Sequence, residues 1–190
     1  MYRPPDSVLP LWGVLLGALV AFIYSMQWYA TDRAMKVDQR AWVGPINVRH
    51  VPPSASTGVR VQLALINVGK TPAFVSSIQK NSLFLDGDLT ELPPDPSLQQ
   101  DFAGRTVLFP NQAGIGVDIP AQDYADADLT AIRNHHKTLN FYGRVDYSDI
   151  FGDRHFTKFC YHHVVTWGPL PFEGLTACRE YNDTDVAMPK

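Results

Sequence analysis

The stretch VRVQLALIN, from Val59 to Asn67, decides the fold class of this chain. The apolar residues at positions 59, 61, 63 and 65 alternate with the residues between them, so one side of an extended strand is strongly apolar. Such a pattern is typical of a half-buried strand. The sequence therefore predicts a central strand here, with Asn67 entering a turn.

On both sides of this stretch, short apolar runs are separated by Pro, Gly and Asn, which is typical of β-sandwiches. Arg105–Phe109 and Ile115–Ile119 are expected to form a hairpin, and Leu83–Gly104 a long surface loop with little regular structure. One short helix is expected at Asp126–His135. The other expected strands are Trp42–His50, at a sheet edge or a bulge because of Pro45, and Phe74–Lys80, Leu139–Tyr147 and His155–Trp167. The fold class predicted is mainly β, an immunoglobulin-like β-sandwich of about seven strands preceded by one transmembrane α-helix.

The N-terminal segment VLPLWGVLLGALVAFIYSMQWY, Val8–Tyr29, is uncharged and has the length that crosses a hydrocarbon core of about 30 Å. We expect a transmembrane anchor over residues 1–31, a juxtamembrane spacer over 32–41 and the β-sandwich over 42–190. A cleaved signal peptide is the competing interpretation. Against it, the apolar run is longer than the usual segment of about 7–15 residues, and no small-x-small cleavage site follows.

The composition and the anchor limit the kinds of molecule that this chain is expected to bind. The net charge of −3 and the absence of a basic stripe argue against nucleic acid. The bilayer is the expected contact of Val8–Tyr29, and Gly13-x-x-x-Gly17 is a possible surface for a homodimer through the membrane helix. No cofactor is expected.

The two cysteines, Cys160 and Cys178, bear on the compartment. The sequence favours a disulfide that ties the C-terminal tail to the sheet, and with it the periplasmic side of a bacterial inner membrane. Two separate buried thiols remain the alternative. Arg33, Lys36 and Arg40 outnumber Arg3 across the anchor and mildly favour a cytoplasmic domain instead.

The segment from Tyr147 to His163 holds most of the chemically capable side chains. A metal site is one hypothesis, but adjacent residues of a strand such as His162 and His163 point to opposite faces. No recognised metal motif is present, so no metal site is expected. The same segment contains no nucleophile motif, and no catalytic residue is assigned.

The loop Ser148–Arg154 has two interpretations. Asx-turns with a glycine at positive φ explain its Asp and Gly residues without a ligand. The alternative is a recognition loop on a rigid scaffold, formed by Asp149, Phe151, Asp153 and His155.

Gly69-Lys70-Thr71 lacks the upstream glycine and the following helix of a phosphate-binding loop. A tight strand connection, in which Asn67 bonds turn amides, is expected instead.

Three stretches, Asn67–Ala73, Gly143–Cys160 and Cys178–Asp185, resemble uncharacterised bacterial single-pass membrane proteins that have an N-terminal membrane helix and a β-sandwich domain. The quoted motifs are N-x-G-x-T-P-A and G-R-x-x-Y-x-D-x-F-G-x-x-H-x-T-x-F-C. This resemblance implies a bacterial envelope setting and brings no activity with it.

Three functional hypotheses follow. The first is a non-enzymatic protein that acts through protein–protein contacts in the bacterial envelope. The second is a metal- or ligand-dependent enzyme or binder that uses Asp149, His155 and His162. The third is an adaptor whose domain faces the cytoplasm with reduced cysteines.

Overall fold

The computed structural model describes residues 8–51, 59–86, 97–121, 126–134, 136–166 and 172–185. The chain divides after Gln39 into a helical unit and a β unit that begins at Arg40.

The helical unit is one continuous helix, α1, Val8–Asp38. It is long and apolar enough to cross a membrane. The helix does not end at Tyr29 but continues through the charged segment, where Lys36 and Asp32 pair at 3.3 Å. The expected spacer is therefore helical as far as Asp38.

The β unit is mainly β, as predicted, and contains one short helix among its described residues. In chain order its elements are β1 Val43–Val51, β2 Arg60–Asn67, β3 Ala73–Asp86, β4 Gln99–Leu108, β5 Ala113–Pro120, α2 Asp126–Arg133, β6 Lys137–Ser148, β7 Arg154–Thr166, β8 Phe172–Ala177 and β9 Asp183–Thr184.

The strands form two antiparallel sheets. The first has the order β1-β2-β5, which confirms the central position of β2 and the edge position of β1 with its Pro45. The second has the order β4-β3-β6-β7-β8, and β9 pairs with another part of β7. In a constant-type immunoglobulin sandwich strands 1, 2, 5 and 4 share one sheet, whereas here the fourth strand lies in the second sheet.

The expected hairpin of Arg105–Phe109 with Ile115–Ile119 is wrong. β4 pairs with β3 and β5 pairs with β2, so the chain passes from one sheet to the other between them. Asn67 holds this crossing, because its side chain donates to the Leu108 carbonyl and its own carbonyl accepts from the Asn111 amide.

The expected loop Leu83–Gly104 is wrong at both of its ends. β3 continues to Asp86 along β6, and β4 begins at Gln99. The second half of β3 was not predicted because it contains polar residues. Asn81 donates a hydrogen bond to the Ser97 carbonyl and Ser82 donates one to the Pro120 carbonyl, so tertiary contacts satisfy both side chains. β8 and β9, which the sequence did not predict, extend the second sheet beyond the seven expected strands.

The core lies between the inward faces of the two sheets, where the apolar residues of β2 meet those of β3, β6 and β7. Its largest fully buried side chains include Leu65, Ile78, Phe141, Tyr147 and Phe159. The expected helix is present as α2. His135 and Trp167, the expected ends of the helix and of the last strand, lie outside the described residues.

Candidate functional site

The loop between β6 and β7 is organised by Asp149. Its Oδ1 accepts hydrogen bonds from the backbone amides of Phe151 at 2.9 Å and Asp153 at 3.1 Å. Gly152 adopts a φ of +85°, which glycine adopts without strain. The five residues from 149 to 153 therefore form the Asx-type turn that the sequence suggested.

The second oxygen of Asp149 binds His155. Asp149 Oδ2 lies 3.0 Å from His155 Nε2, and Asp185 Oδ2 lies 2.7 Å from His155 Nδ1. The imidazole side chain is 8% exposed and the Asp149 side chain 2%. Each ring nitrogen of His155 therefore contacts a carboxylate oxygen.

The other oxygen of Asp185 binds the Nη2 of Arg40. The Arg40 guanidinium, 8% exposed, stacks on the Trp42 ring with 4.1 Å to its centroid. Arg40, Asp185, His155 and Asp149 thus form a chain in which basic and acidic side chains alternate, which we call the charge network.

The charge network determines the ionisation of Asp185. Burial of this carboxyl opposes ionisation, but the hydrogen bond from His155 and the positive charge of Arg40 outweigh it. The pKa of Asp185 consequently lies below its ordinary value.

The network has a clear structural effect. It joins the start of the β unit, the β6–β7 loop, the first residues of β7 and the C-terminal segment. Both nitrogens of His155 are hydrogen-bonded to carboxylates of the network. Tyr147 packs beside the imidazole, with 5.5 Å between the ring centroids.

Asn67 is a second structural centre, and its amide group is fully used. Its Oδ1 accepts from the amides of Trp42 at 3.1 Å and Gly69 at 3.0 Å, and its Nδ2 donates to the carbonyls of Thr71 at 2.7 Å and Leu108 at 3.0 Å. Gly69 is required here because a Cβ at this position would lie 2.6 Å from the Trp42 amide nitrogen. This geometry confirms a turn role for the segment that starts at Asn67.

Cys160 and Cys178 are joined, with Cα atoms 5.3 Å apart, a distance that meets the geometric requirement for a disulfide. Asn182 strengthens the attachment: its Oδ1 accepts from the Cys160 amide at 2.9 Å and its Nδ2 donates to the Cys178 carbonyl at 2.7 Å. The segment from Cys178 to Asp185, which we call the C-terminal hook, therefore runs from the disulfide to the charge network along β7.

The histidines of β7 do not join one site. Asp149 and His155 are in contact, but His162 lies seven residues further along the strand, about 23 Å away at 3.3 Å per residue. Burial lowers the pKa of His162. His163 faces the core and stacks on His50, with 4.6 Å between centroids. No group of three or more His, Cys, Asp and Glu residues suited to a metal ion occurs in the described part of the chain.

The members of the suggested recognition loop have different environments. Asp149 and His155 are held inside the charge network, Phe151 is half-buried, and Asp153 is exposed. On α1, a Cβ added at Gly13 or at Gly17 would meet nothing within 4 Å.

A cleft of about 550 Å³ lies beside the charge network. On β6, Val145 and Tyr147 are buried in the core whereas Arg144 and Asp146 are half-buried, so the cleft is on the outer face of the second sheet. We call it the basic cleft. It is lined by residues that include Phe74, Arg105, Arg144, Arg154 and Phe156.

Sequence reasoning missed two members of the charge network, Arg40 and Asp185, and it missed the basic cleft. Arg40 and Asp185 are 145 residues apart, and no local pattern connects them. The cleft arginines come from three different strands and are likewise scattered in the sequence. Comparison of the chain with known protein families and with curated proteins finds no match.

Proposed function

We propose that this chain is a single-pass, non-enzymatic protein of the bacterial inner membrane, whose β-sandwich lies in the periplasm and acts through contacts with another protein. The observation that carries the proposal is the charge network. Its titratable side chains are bonded to one another, which favours a structural role for them over catalysis.

Two further features support the location. α1 is long and apolar enough to anchor the chain, and the paired cysteines suit an oxidising compartment. The alternative enzyme that uses Asp149, His155 and His162 loses support because His162 is remote from the other two.

The test is chemical cross-linking of the tagged full chain in native membranes, followed by purification in mild detergent and identification of the products. We expect a reproducible cross-linked protein. The matched control is the helical unit, residues 1–39, fused to an unrelated soluble domain, which should not capture it. Recovery of monomer alone, or equal capture by the control, contradicts the proposal.

A further inference from the structure

We propose that the basic cleft binds an extended acidic segment of a partner protein, with two carboxylates about four residues apart and an apolar side chain between them. This inference rests on the proposed function and specifies the chemistry of the contact.

The cleft spans four adjacent strands in the order β4-β3-β6-β7. Arg105 belongs to β4, Phe74 to β3, Arg144 to β6, and Arg154 and Phe156 to β7. Positive and aromatic side chains therefore alternate across the sheet.

The aromatic rings hold two of the guanidinium groups. Arg105 lies over Phe74 at 5.3 Å from the ring centroid, and Arg144 lies over Phe156 at 4.5 Å. A guanidinium that stacks by its face keeps its N–H edge available for an anion in the same plane. The rings also give the floor of the cleft an apolar surface.

The three arginines differ in whether an acidic side chain pairs with them. Arg144 is paired with Asp146 Oδ1, at 2.8 Å from Nε and 2.7 Å from Nη2. In the part of the chain that the structure describes, neither Arg105 nor Arg154 has an anionic partner, and both are exposed. Two uncompensated positive charges thus face one cleft in a chain whose net charge is −3.

The spacing of the strands determines the spacing of the ligand. Arg105 and Arg154 lie on strands separated by three intervals, about 14 Å at 4.8 Å per interval, and Arg105 lies two residues along β4 from Val107, which is level with Arg154. Their backbones are therefore about 16 Å apart. Residues i and i+4 of an extended peptide are about 14 Å apart and point to the same side, and the long arginine side chains span the difference. The residue at i+2 then faces the floor between Phe74 and Phe156, where an apolar side chain fits.

A protein segment suits the cleft better than an anionic membrane surface. The site is concave, whereas a bilayer presents a flat layer of headgroups.

The test uses the full chain in nonionic detergent and the labelled peptide Glu-Ser-Leu-Ser-Glu, with binding followed by fluorescence anisotropy. Ser-Glu-Leu-Glu-Ser is the control of identical composition and shorter carboxylate spacing. We expect the first peptide to bind more tightly, and its binding to weaken as the salt concentration rises.

The double variant Arg105→Gln/Arg154→Gln should bind the first peptide roughly tenfold more weakly or worse. The matched variant Arg49→Gln/Lys70→Gln, which removes the same charge elsewhere, should bind within about twofold of the parent.

A charge-reversal variant distinguishes a loss of binding from a loss of folding. Arg105→Glu/Arg154→Glu should lose the acidic peptide and bind Lys-Ser-Leu-Ser-Lys instead. Equal binding of the two acidic peptides, or unchanged binding by the Gln variant, overturns the proposal. Displacement of the peptide by inorganic phosphate at concentrations below the peptide's own Kd also overturns it, in favour of a phosphate site. If cross-linking in membranes still captures a partner with the Gln variant, the cleft assignment fails while the proposed function stands.

Discussion

At the scale of single residues, two hydrogen-bonded polar side chains, Asn67 and Asp185, hold the β unit together near its first residues. Asn67 fixes the turn after β2 and the crossing between the sheets. Asp185 connects Arg40 to His155. The turn role of Asn67 was predictable because its partners include residues two and four positions away. The role of Asp185 was not, since its partners are 30 and 145 residues away.

Asp185→Asn should destabilise the β unit by about 2 kcal/mol at neutral pH, because Arg40 and His155 lose a charged hydrogen-bond acceptor. The folded-state pKa of Asp185 is lowered. Its contribution is therefore fully present above the ordinary value of 3.8 and is lost as the pH falls through the lowered pKa. Urea unfolding at several pH values measures both effects. The difference between parent and variant should shrink in acid, and the exposed neighbour Asp183→Asn should show little change; a difference independent of pH would refute this account.

Asn67→Ala should cost about 3 kcal/mol, because two buried amides and two carbonyls lose their partner together. The free energy of unfolding from urea titration gives the value. Gln112→Ala, on the exposed turn before β5, is the control and should change stability by less than about 0.5 kcal/mol. Equal effects of the two substitutions would show that the Asn67 hydrogen bonds are not needed.

At the scale of elements, alternation of apolar residues predicted β2 and β6, which face the core on one side. Alternation did not predict the strands that are stabilised by hydrogen bonds of polar side chains or by the C-terminal hook. The second half of β3 carries hydrogen-bonded polar residues such as Asn81, and β9 is only two residues long and depends on the C-terminal hook. The pairing of β4 and β5 could not be predicted from their sequences, because the short connection between them is compatible both with a hairpin and with a crossing from one sheet to the other.

Removal of the disulfide should loosen the C-terminal hook. The cysteines are 18 residues apart, and a loop of this length is worth about 3 kcal/mol of stability. Cys160→Ala/Cys178→Ala should lose this amount, and amide exchange at Asp183 and Thr184 should become faster than exchange in β2. Reduction of the parent protein should reproduce the loss in stability. Unchanged exchange in the hook would mean that Asn182 and Asp185 hold it without the disulfide.

At the scale of the whole molecule, the chain consists of a long apolar helix followed by a β-sandwich whose chain ends are tied together. Arg40, the first residue of the β unit, and Asp185, near its C-terminal end, are ion-paired. The side chains of the charge network maintain this closure, and Arg105 and Arg154 in the basic cleft have no anionic partner among the described residues. That division of roles underlies the proposal that the protein binds and does not catalyse.

The compartment of the β unit tests the central claim most directly. A periplasm-active phosphatase and a cytoplasm-active fluorescent protein, each fused after Lys190, should be compared in the same bacterial host. The account predicts an active phosphatase, a dark fluorescent protein, and cysteines that react with a thiol reagent only after reduction and unfolding. Fluorescence without phosphatase activity, together with thiols that react without reductant, would contradict it.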